Sequence, residues 1–214
     1  MIPVNLSTAR LELSAPTSAD VDAIFEICQD PDVQRWTTVP SPYRREHAIG
    51  FVERVVAPRW EDGTEATWAL RLDDELIGMI SLLAVEDGKG ELGYWMSPRF
   101  RRQGLLHEAC RAAIDFGFAS DGLGLQRIGW RALGGNVGSA SVARSLGFRF
   151  EGAVRLGARA KDGTRVDEWI AGILLVLGGA ISLIGALGLV RLRDFFQRMH
   201  PVALCSTLGC WCVS

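Results

Sequence analysis

The sequence lacks both a strong net charge and a paired set of cysteines. Its 23 basic and 25 acidic residues leave a formal charge of −2, which gives no reason to expect nucleic acid or anionic lipid as the main partner. Cys28 and Cys110 stand alone, and the cluster Cys205, Cys210 and Cys212 lacks the C-x2-C spacing of zinc and redox sites. We therefore expect reduced thiols, with neither a disulfide framework nor a bound metal.

The first residues lack the features of a secretory signal. Met1 to Asn5 carry no basic segment, and no long apolar segment follows. The chain has 214 residues, of which 48% are hydrophobic and 22% charged, which suits one globular domain and excludes disorder. We therefore expect a cytoplasmic body.

Charge is also absent from a long run near the C-terminus. Ile170 to Val190 contains no charged residue, and its length is close to the ~20 residues that span a bilayer. The start of the run equally suits the last strand of a sheet, and residues 175–190 alone would be short for a span. We expect a domain over residues 1–174 and a hydrophobic tail over residues 175–214, which is a candidate for a single transmembrane helix.

The spacing of apolar residues predicts an α+β fold. Strand-like alternation at Arg10 to Leu13 precedes two predicted helices, residues 17–29 and 42–60, joined by a loop around Trp36. The remaining elements are three antiparallel strands (67–72, 76–85 and 91–97), a helix (101–120), a strand (126–132), a helix (136–146) and two strands (148–156 and 164–174). The predicted order is β α α β β β α β α β β.

The segment from Tyr94 to Leu106 is a predicted strand that turns directly into a long helix. The unpaired N–H groups of a first helical turn form a receptor for a pyrophosphate. Gly104 allows close approach of the backbone to the oxygens, and Arg101 and Arg102 add positive charge. On its own, this spacing is more typical of an ordinary loop and helix cap than of a nucleotide site.

A second motif, Asn136-Val137-Gly138-Ser139 followed by Leu146-Gly147-Phe148, changes that interpretation. Together the two motifs resemble the GNAT superfamily of N-acetyltransferases over residues 7–174. The family's R/Q-x-x-G-x-G/A loop falls on Arg101, Gly104 and Leu106. Its N-x-x-S and G-F motifs fall on Asn136, Ser139, Gly147 and Phe148.

Three shorter segments resemble one branch of that family, the RimJ/RimL-like enzymes that acetylate N-termini of ribosomal proteins. These segments are Thr8 to Leu11, Leu92 to Trp95 and Phe150 to Gly152. The resemblance implies the GNAT fold, in which helices flank a mixed, mostly antiparallel central sheet. Arg102 stands where the family usually has glycine, and Leu106 where it has a small residue, which predicts modestly weaker cofactor binding.

The resemblance also implies acetyl-CoA as cosubstrate, without a metal. Its pyrophosphate is expected on the amides from Arg102 to Leu106, and its pantetheine beside the strand at Met96. Asn136 and Ser139 would contact the other side of the cofactor. The implied cofactor-binding residues are Met96, Arg101, Arg102, Gln103, Gly104, Leu105, Leu106, Asn136 and Ser139.

Transfer from a thioester to an amine needs a neutral amine, a polarised carbonyl and a proton for the departing thiolate. A backbone N–H near Met96 is the candidate for polarising the carbonyl. Ser139 is the family-based candidate for protonating the sulfur, and a helix cap is an equal alternative for it. Glu91 is the first candidate for the base and Glu151 the second, although an exposed strand position and a turn would also explain them. Trp36 is the candidate substrate-binding residue.

The tail resembles a different family, the G-type component of Mrp-type sodium/proton antiporters. The similar segments are Gly185 to Phe195, Arg198 to His200 and Thr207 to Gly209. Only part of that component is represented, and a lone fragment cannot form an ion pathway, so we assign no antiport activity to it. The three arginines after the apolar run would place the C-terminal side in the cytosol and the domain outside, away from acetyl-CoA.

The sequence therefore predicts an N-acetyltransferase that acts on a primary amine, either a protein N-terminus or a small molecule. Nucleic acid is not an expected partner, and membrane association is expected only through residues 170–190. The alternative is a membrane-associated protein whose tail binds antiporter subunits and whose body binds acetyl-CoA without catalysis. Both the acceptor amine and the oligomeric state stay open.

Overall fold

One eight-stranded sheet organises residues 1–175, the part of the chain that the computed structural model describes. Its strands are β1 (Leu6–Ser7), β2 (Glu12–Ser14), β3 (Ala66–Leu72), β4 (Glu75–Glu86), β5 (Lys89–Met96), β6 (Arg127–Leu133), β7 (Arg149–Arg159) and β8 (Arg165–Leu174). The order across the sheet is β1-β2-β3-β4-β5-β6-β8-β7. β1 to β5 pair antiparallel in sequence, as do β7 and β8, whereas β5 and β6 are parallel. The predicted α+β class and mixed, mostly antiparallel sheet are confirmed.

Helices lie on the connections between these strands. They are α1 (Val21–Ile27), α2 (Pro31–Trp36), α3 (Arg45–Phe51), α4 (Ala57–Asp62), α5 (Leu105–Phe118) and α6 (Val137–Ser145). A π-helical turn, Val52–Val56, joins α3 to α4. The predicted helix over residues 42–60 therefore begins at Arg45 and is interrupted by that turn.

α2 occupies a segment that the sequence predicted to be a loop. Asp30, Pro31 and Asp32 predict the end of the helix over residues 17–29. In the structure, however, the Oδ1 of Asp30 accepts a hydrogen bond from the N–H of Val33 at 3.0 Å and so caps the next helix. Pro31 follows at the first helical position, where its fixed φ and missing N–H cost nothing. The loop prediction was wrong, and Trp36 lies at the C-terminal end of α2.

The structure describes the first residues of the apolar run that starts at Ile170. Ile170 lies within β8, where it pairs with Gly152 of β7, so the strand interpretation of these residues is confirmed. A membrane helix that begins at Ile170 is therefore wrong. Among the described helices, none is long and apolar enough to cross a membrane. The remainder of the predicted tail helix lies outside the described residues.

The sheet carries apolar packing on both faces. On the α5 face, the Trp68 ring contacts Trp60 and Phe116 edge to face, with ring centroids 5.2 Å and 5.7 Å away. On the opposite face, Ile24 of α1 and Met79 of β4 belong to a second buried cluster. Because both faces are covered, an opening for a ligand has to lie between strands or beyond their ends.

Such an opening begins where β5 and β6 stop pairing. Their parallel register covers only three residue pairs, from Lys89 with Arg127 to Glu91 with Gly129. Both strands continue, to Met96 and Leu133, with no further pairing between them in the described chain. We call this opening, between Leu92–Met96 and Trp130–Leu133, the β5/β6 split.

A buried ion pair ties the start of α1 to the sheet. The two Asp20 carboxylate oxygens each accept a hydrogen bond of 2.8 Å from the guanidinium of Arg71, and one also accepts from the N–H of Thr17. Burial alone would raise the pKa of Asp20, but the hydrogen bonds from Arg71 and Thr17 outweigh it and hold the pKa below its ordinary value. The pair therefore stabilises the fold above the ordinary aspartate pKa, and this stabilisation is lost as the pH falls through the lowered value.

We predict that Asp20→Asn lowers the free energy of unfolding by about 3 kcal/mol at neutral pH, because Arg71 is left without its carboxylate. Denaturant unfolding of the full chain measures this loss, which should shrink as the solution is acidified. Asp22→Asn is the matched control, since Asp22 pairs with Arg45 on the exposed surface and its loss should leave stability unchanged. Equal losses in the two variants would contradict the prediction.

Candidate active site

Unpaired backbone N–H groups mark the turn from β5 into α5. The first bond of α5 runs from the N–H of Glu108 to the carbonyl of Gly104, at 3.1 Å. Within residues 1–175, no protein acceptor pairs with the N–H groups from Arg102 to His107. Backbone donors without protein partners at a helix start form an anion receptor.

The backbone of this turn is held in an unusual shape. Both Arg102, with φ 64°, and Gly104, with φ 78°, adopt the left-handed region. Left-handed residues of this kind occur in anion-binding nests, which are formed by successive backbone N–H groups. Glycine is suited to this conformation and arginine is not, so Arg102 carries strain of about 1 kcal/mol. Left-handed residues cannot continue a helix, which is why α5 begins at Leu105 and not at Arg101 as predicted.

The N-terminal segment fixes the first turn of α5 from outside. The Glu108 carboxylate accepts hydrogen bonds from the hydroxyl of Thr8 at 2.5 Å and from the Arg10 Nε at 2.8 Å. The Thr8 bond is the main reason that the pKa of Glu108 lies below its ordinary value. Arg10 also donates to the carbonyl of Gln103 at 3.2 Å. The Thr8 to Leu11 segment therefore serves to hold the loop that carries the free amides.

Arg101 extends back toward α2. Its Nε donates to the carbonyl of Met96 at 3.2 Å, and its two terminal nitrogens lie 2.6 Å from an oxygen of Asp30 and 3.3 Å from one of Asp32. The guanidinium is therefore already paired with two carboxylates. Arg101 joins the anion receptor to the start of α2, and Met96 is buried at the end of β5.

Asn136 and Ser139 lie at the start of α6, and the structure separates their roles. Asn136 is the cap, because its Oδ1 accepts a hydrogen bond of 3.1 Å from the N–H of Ser139. The cap alternative for the Ser139 hydroxyl was therefore wrong. That hydroxyl accepts a hydrogen bond from the Nε1 of Trp130 at 3.0 Å and lies 3.0 Å from the hydroxyl of Tyr94.

At the β5/β6 split, the face of the sheet opposite to Tyr94 carries charged side chains. Glu91 and Tyr94 are three residues apart in β5 and so point to opposite faces. The Arg131 guanidinium lies 3.2 Å from an oxygen of Glu91 and 3.1 Å from one of Glu168. Burial raises the pKa of Glu91, and the charge of Arg131 only partly opposes it. Sequence reasoning missed Arg131 and Glu168, which lie on β6 and β8 and meet Glu91 only through the sheet order.

Glu151, the second candidate for the base, lies on β7 in another pair. It accepts a hydrogen bond of 2.5 Å from a terminal nitrogen of Arg127, and this bond holds the pKa of Glu151 below its ordinary value. A lowered pKa makes a carboxylate a weaker base. Glu91 is therefore the better placed of the two.

Trp36 is the last residue of α2, and its side chain reaches the segment just before α6. Its ring edge is 3.8 Å from where a β-carbon on Gly135 would stand, next to Asn136, and the Arg35 guanidinium lies 4.5 Å above the ring. The tip of the β7–β8 hairpin reaches the same region, where Lys161 donates to the carbonyl of Val39. The predicted acceptor residue thus borders the cofactor motif.

Comparison with known proteins bears on this arrangement. A family model described as an acetyltransferase (GNAT) domain matches residues 10–149. The chain belongs to the GNAT acetyltransferase family. An uncharacterized N-acetyltransferase of Bacillus subtilis, YoaA, is 31% identical over 72% of this chain and 88% of the relative. A putative ribosomal N-acetyltransferase of the same organism, YdaF, is 36% identical over 59% of this chain and 61% of the relative.

Solved structures confirm the GNAT fold. RimL, a ribosomal L7/L12 alpha-N-protein acetyltransferase in complex with coenzyme A, superposes with a TM-score of 0.73 at 20% identity over 80% of this chain and 98% of its own. Mycobacterium smegmatis RimJ, in complex with CoA-disulfide, has a TM-score of 0.73 at 19% identity over 82% of this chain and 90% of its own. A separate family model, for a sodium/proton antiporter component, matches residues 174–214.

We predict that Asn136→Ala lowers the free energy of unfolding by about 1 kcal/mol through loss of the α6 cap. Asn136→Asp keeps an oxygen that can accept from the N–H of Ser139 and should retain stability. Thermal or denaturant unfolding of the full chain measures both. A stable Asn136→Ala variant would show that the cap contributes nothing.

Proposed function

We propose that this chain is an acetyl-CoA-dependent N-acetyltransferase whose acceptor is a primary amine. Membership of a family of acetyltransferases supports the reaction type. The observation that carries the cofactor assignment is the row of N–H groups from Arg102 to His107, which have no acceptor among the described residues. Their number and the left-handed backbone at Arg102 and Gly104 fit a pyrophosphate, which offers several anionic oxygens.

The proposed cofactor residues lie within that row or beside it. Gln103, Gly104, Leu105 and Leu106 contribute backbone donors, and Arg102 is an exposed cation within the same turn. Arg101 holds the loop against α2 through Asp30 and Asp32, which we propose as its main role. The pantetheine would follow the unpaired edge of β5 toward Met96, and Asn136 and Ser139 would flank it from α6.

The split would let the thioester reach both faces of the sheet. An unpaired N–H on the open edge of β5 would polarise the thioester carbonyl. Glu91, whose pKa burial raises, would take the proton of the amine from the opposite face. Ser139 would donate a hydrogen bond to the departing sulfur from the α6 face.

The proposed acceptor is a protein N-terminus or a small primary amine. Two carboxylates, Glu91 and Glu168, share one guanidinium on the acceptor face, so this cluster keeps a net negative charge that attracts an ammonium group. Trp36 would form part of the acceptor wall. The similarity to YdaF, a putative ribosomal N-acetyltransferase, supports testing a protein N-terminus first.

We predict that Arg102→Glu weakens acetyl-CoA binding by about tenfold or more, because it places an anion beside the phosphate receptor. Calorimetric titration of acetyl-CoA into the purified full chain measures the dissociation constant. Arg111→Glu is the matched control, since it makes the same charge change at an exposed position further along α5. Added salt should reduce the difference between the two variants.

Two results would contradict the cofactor site. One is an Arg102→Glu variant that binds acetyl-CoA as tightly as Arg111→Glu. The other is a folded parent chain, verified by circular dichroism, that shows no saturable binding of acetyl-CoA.

We predict that Glu91→Gln lowers kcat by about 100-fold, because the amine loses its base. In the parent chain, activity should fall as acid protonates Glu91, at a pH above the ordinary glutamate range because burial raises its pKa. The pH dependence of kcat/KM on a panel of amines measures this acid limb. Glu53→Gln, at an exposed position on the π-helical turn, is the control and should keep the parent profile. An unchanged rate and acid limb in Glu91→Gln would remove Glu91 as the base.

A further inference from the structure

We infer that Tyr94 and Trp130 are positioning residues that direct the hydroxyl proton of Ser139 toward the departing sulfur of coenzyme A. The inference rests on the proposed function, in which Ser139 meets that sulfur. It concerns two side chains to which the family resemblance assigned no role, although Tyr94 lies within the similar segment Leu92 to Trp95. Both project from the strands that border the β5/β6 split, on the α6 face.

Trp130 sets one of the hydrogen bonds of Ser139 without ambiguity. An indole nitrogen can only donate, so the Nε1–H of Trp130 donates to the Oγ of Ser139 at 3.0 Å. This bond occupies one of the two lone pairs of the serine oxygen. It also places the positive end of the indole N–H dipole next to the serine oxygen, which favours donation of the Ser139 hydroxyl proton.

Tyr94 has two partners on the same residue. Its hydroxyl oxygen lies 3.0 Å from the Ser139 carbonyl oxygen and 3.0 Å from the Ser139 Oγ. A carbonyl oxygen only accepts, whereas a hydroxyl both donates and accepts. The proton of Tyr94 can therefore go to either atom without movement of any heavy atom.

These two proton positions define two arrangements. In the first, Tyr94 donates to the Ser139 carbonyl, and Ser139 donates to the oxygen of Tyr94. In the second, Tyr94 donates to the Ser139 Oγ, so both lone pairs of that oxygen are occupied. The proton of Ser139 then has to point in the one remaining tetrahedral direction, away from both neighbours.

The second arrangement is the one that serves acetyl transfer. When the bond between the acetyl carbon and sulfur breaks, the electron pair stays on sulfur, and Ser139 donates its hydrogen bond there. Tyr94 turns its proton from the carbonyl to the Oγ and compensates the bond that Ser139 gives up. No proton passes from Tyr94 to Ser139, which is consistent with burial raising the pKa of Tyr94 and keeping the phenol neutral.

The test is the acidity of the coenzyme A thiol when it is bound to the full chain. Ultraviolet absorbance of the thiolate, followed against pH at saturating coenzyme A, gives the pKa of the bound thiol. We expect the parent to lower it by about one unit relative to free coenzyme A, through a hydrogen bond to the charged form. Ser139→Ala should abolish the shift, and Tyr94→Phe should remove most of it while leaving the dissociation constant within about twofold.

Tyr43→Phe is the matched control. Tyr43 is the other of the two tyrosines in the chain and is also buried, in the cluster on the α1 face. Its loss should leave the pKa of the bound thiol at the parent value. Trp130→Phe is the second test variant and should also raise the pKa of the bound thiol, in case Tyr94→Phe fails to fold.

A kinetic measurement separates positioning from general support of the fold. Tyr94→Phe should lower kcat by about tenfold with the KM for acetyl-CoA nearly unchanged. In a chain that already carries Ser139→Ala, the same substitution should have no further effect, because the hydroxyl that it positions is gone.

The outcomes distinguish this inference from the proposed function. If coenzyme A binds but its thiol has the same pKa in the parent, Tyr94→Phe and Trp130→Phe, the inference is overturned and the cofactor site stands. If the folded parent binds no coenzyme A, the proposed function fails and the inference fails with it. The inference would also be overturned if the losses of kcat caused by Tyr94→Phe and Ser139→Ala were additive in the double variant.

Discussion

The end of pairing between β5 and β6 is the constraint on which the site depends. After Glu91 and Gly129 the two strands continue without bonding to each other, so the sheet opens where both of its faces are otherwise covered. Side chains of β5 alternate across this opening, which places Glu91 on one face and Tyr94 on the other. One break in a ladder of hydrogen bonds thus separates the two sides of the sheet that we propose for the acceptor and for the cofactor.

The loop that follows β5 keeps its backbone donors free because neighbouring side chains hold it from two directions. Glu108 binds the N-terminal segment through Thr8 and Arg10, and Arg101 binds the start of α2 through Asp30 and Asp32. Neither set of contacts occupies the N–H groups of the turn. The Arg101 contacts also connect this loop to the start of α2, which ends at the candidate acceptor residue Trp36.

Much of this arrangement could be predicted from local patterns. Alternation predicted the central strands, and helical spacing predicted α5 and α6, with ends displaced by a few residues. The motif around Gly104 predicted the free amides, since a helix start always leaves its first donors unpaired. The prediction failed at α2, where Asp30 and Pro31 were interpreted as the end of one helix and are the beginning of the next.

By itself, the sequence determined the family, the order of most elements and the loop whose N–H groups stay without an acceptor in the described chain, because each depends on residues that are near one another in the chain. The tertiary structure alone decided the partners. Arg131 lies between Glu91 and Glu168, and Ser139 lies beside Tyr94 and Trp130, because strands distant in sequence adjoin the same split. Periodicity shows that a side chain leaves a strand on one face, but the order and divergence of the strands decide what it meets there.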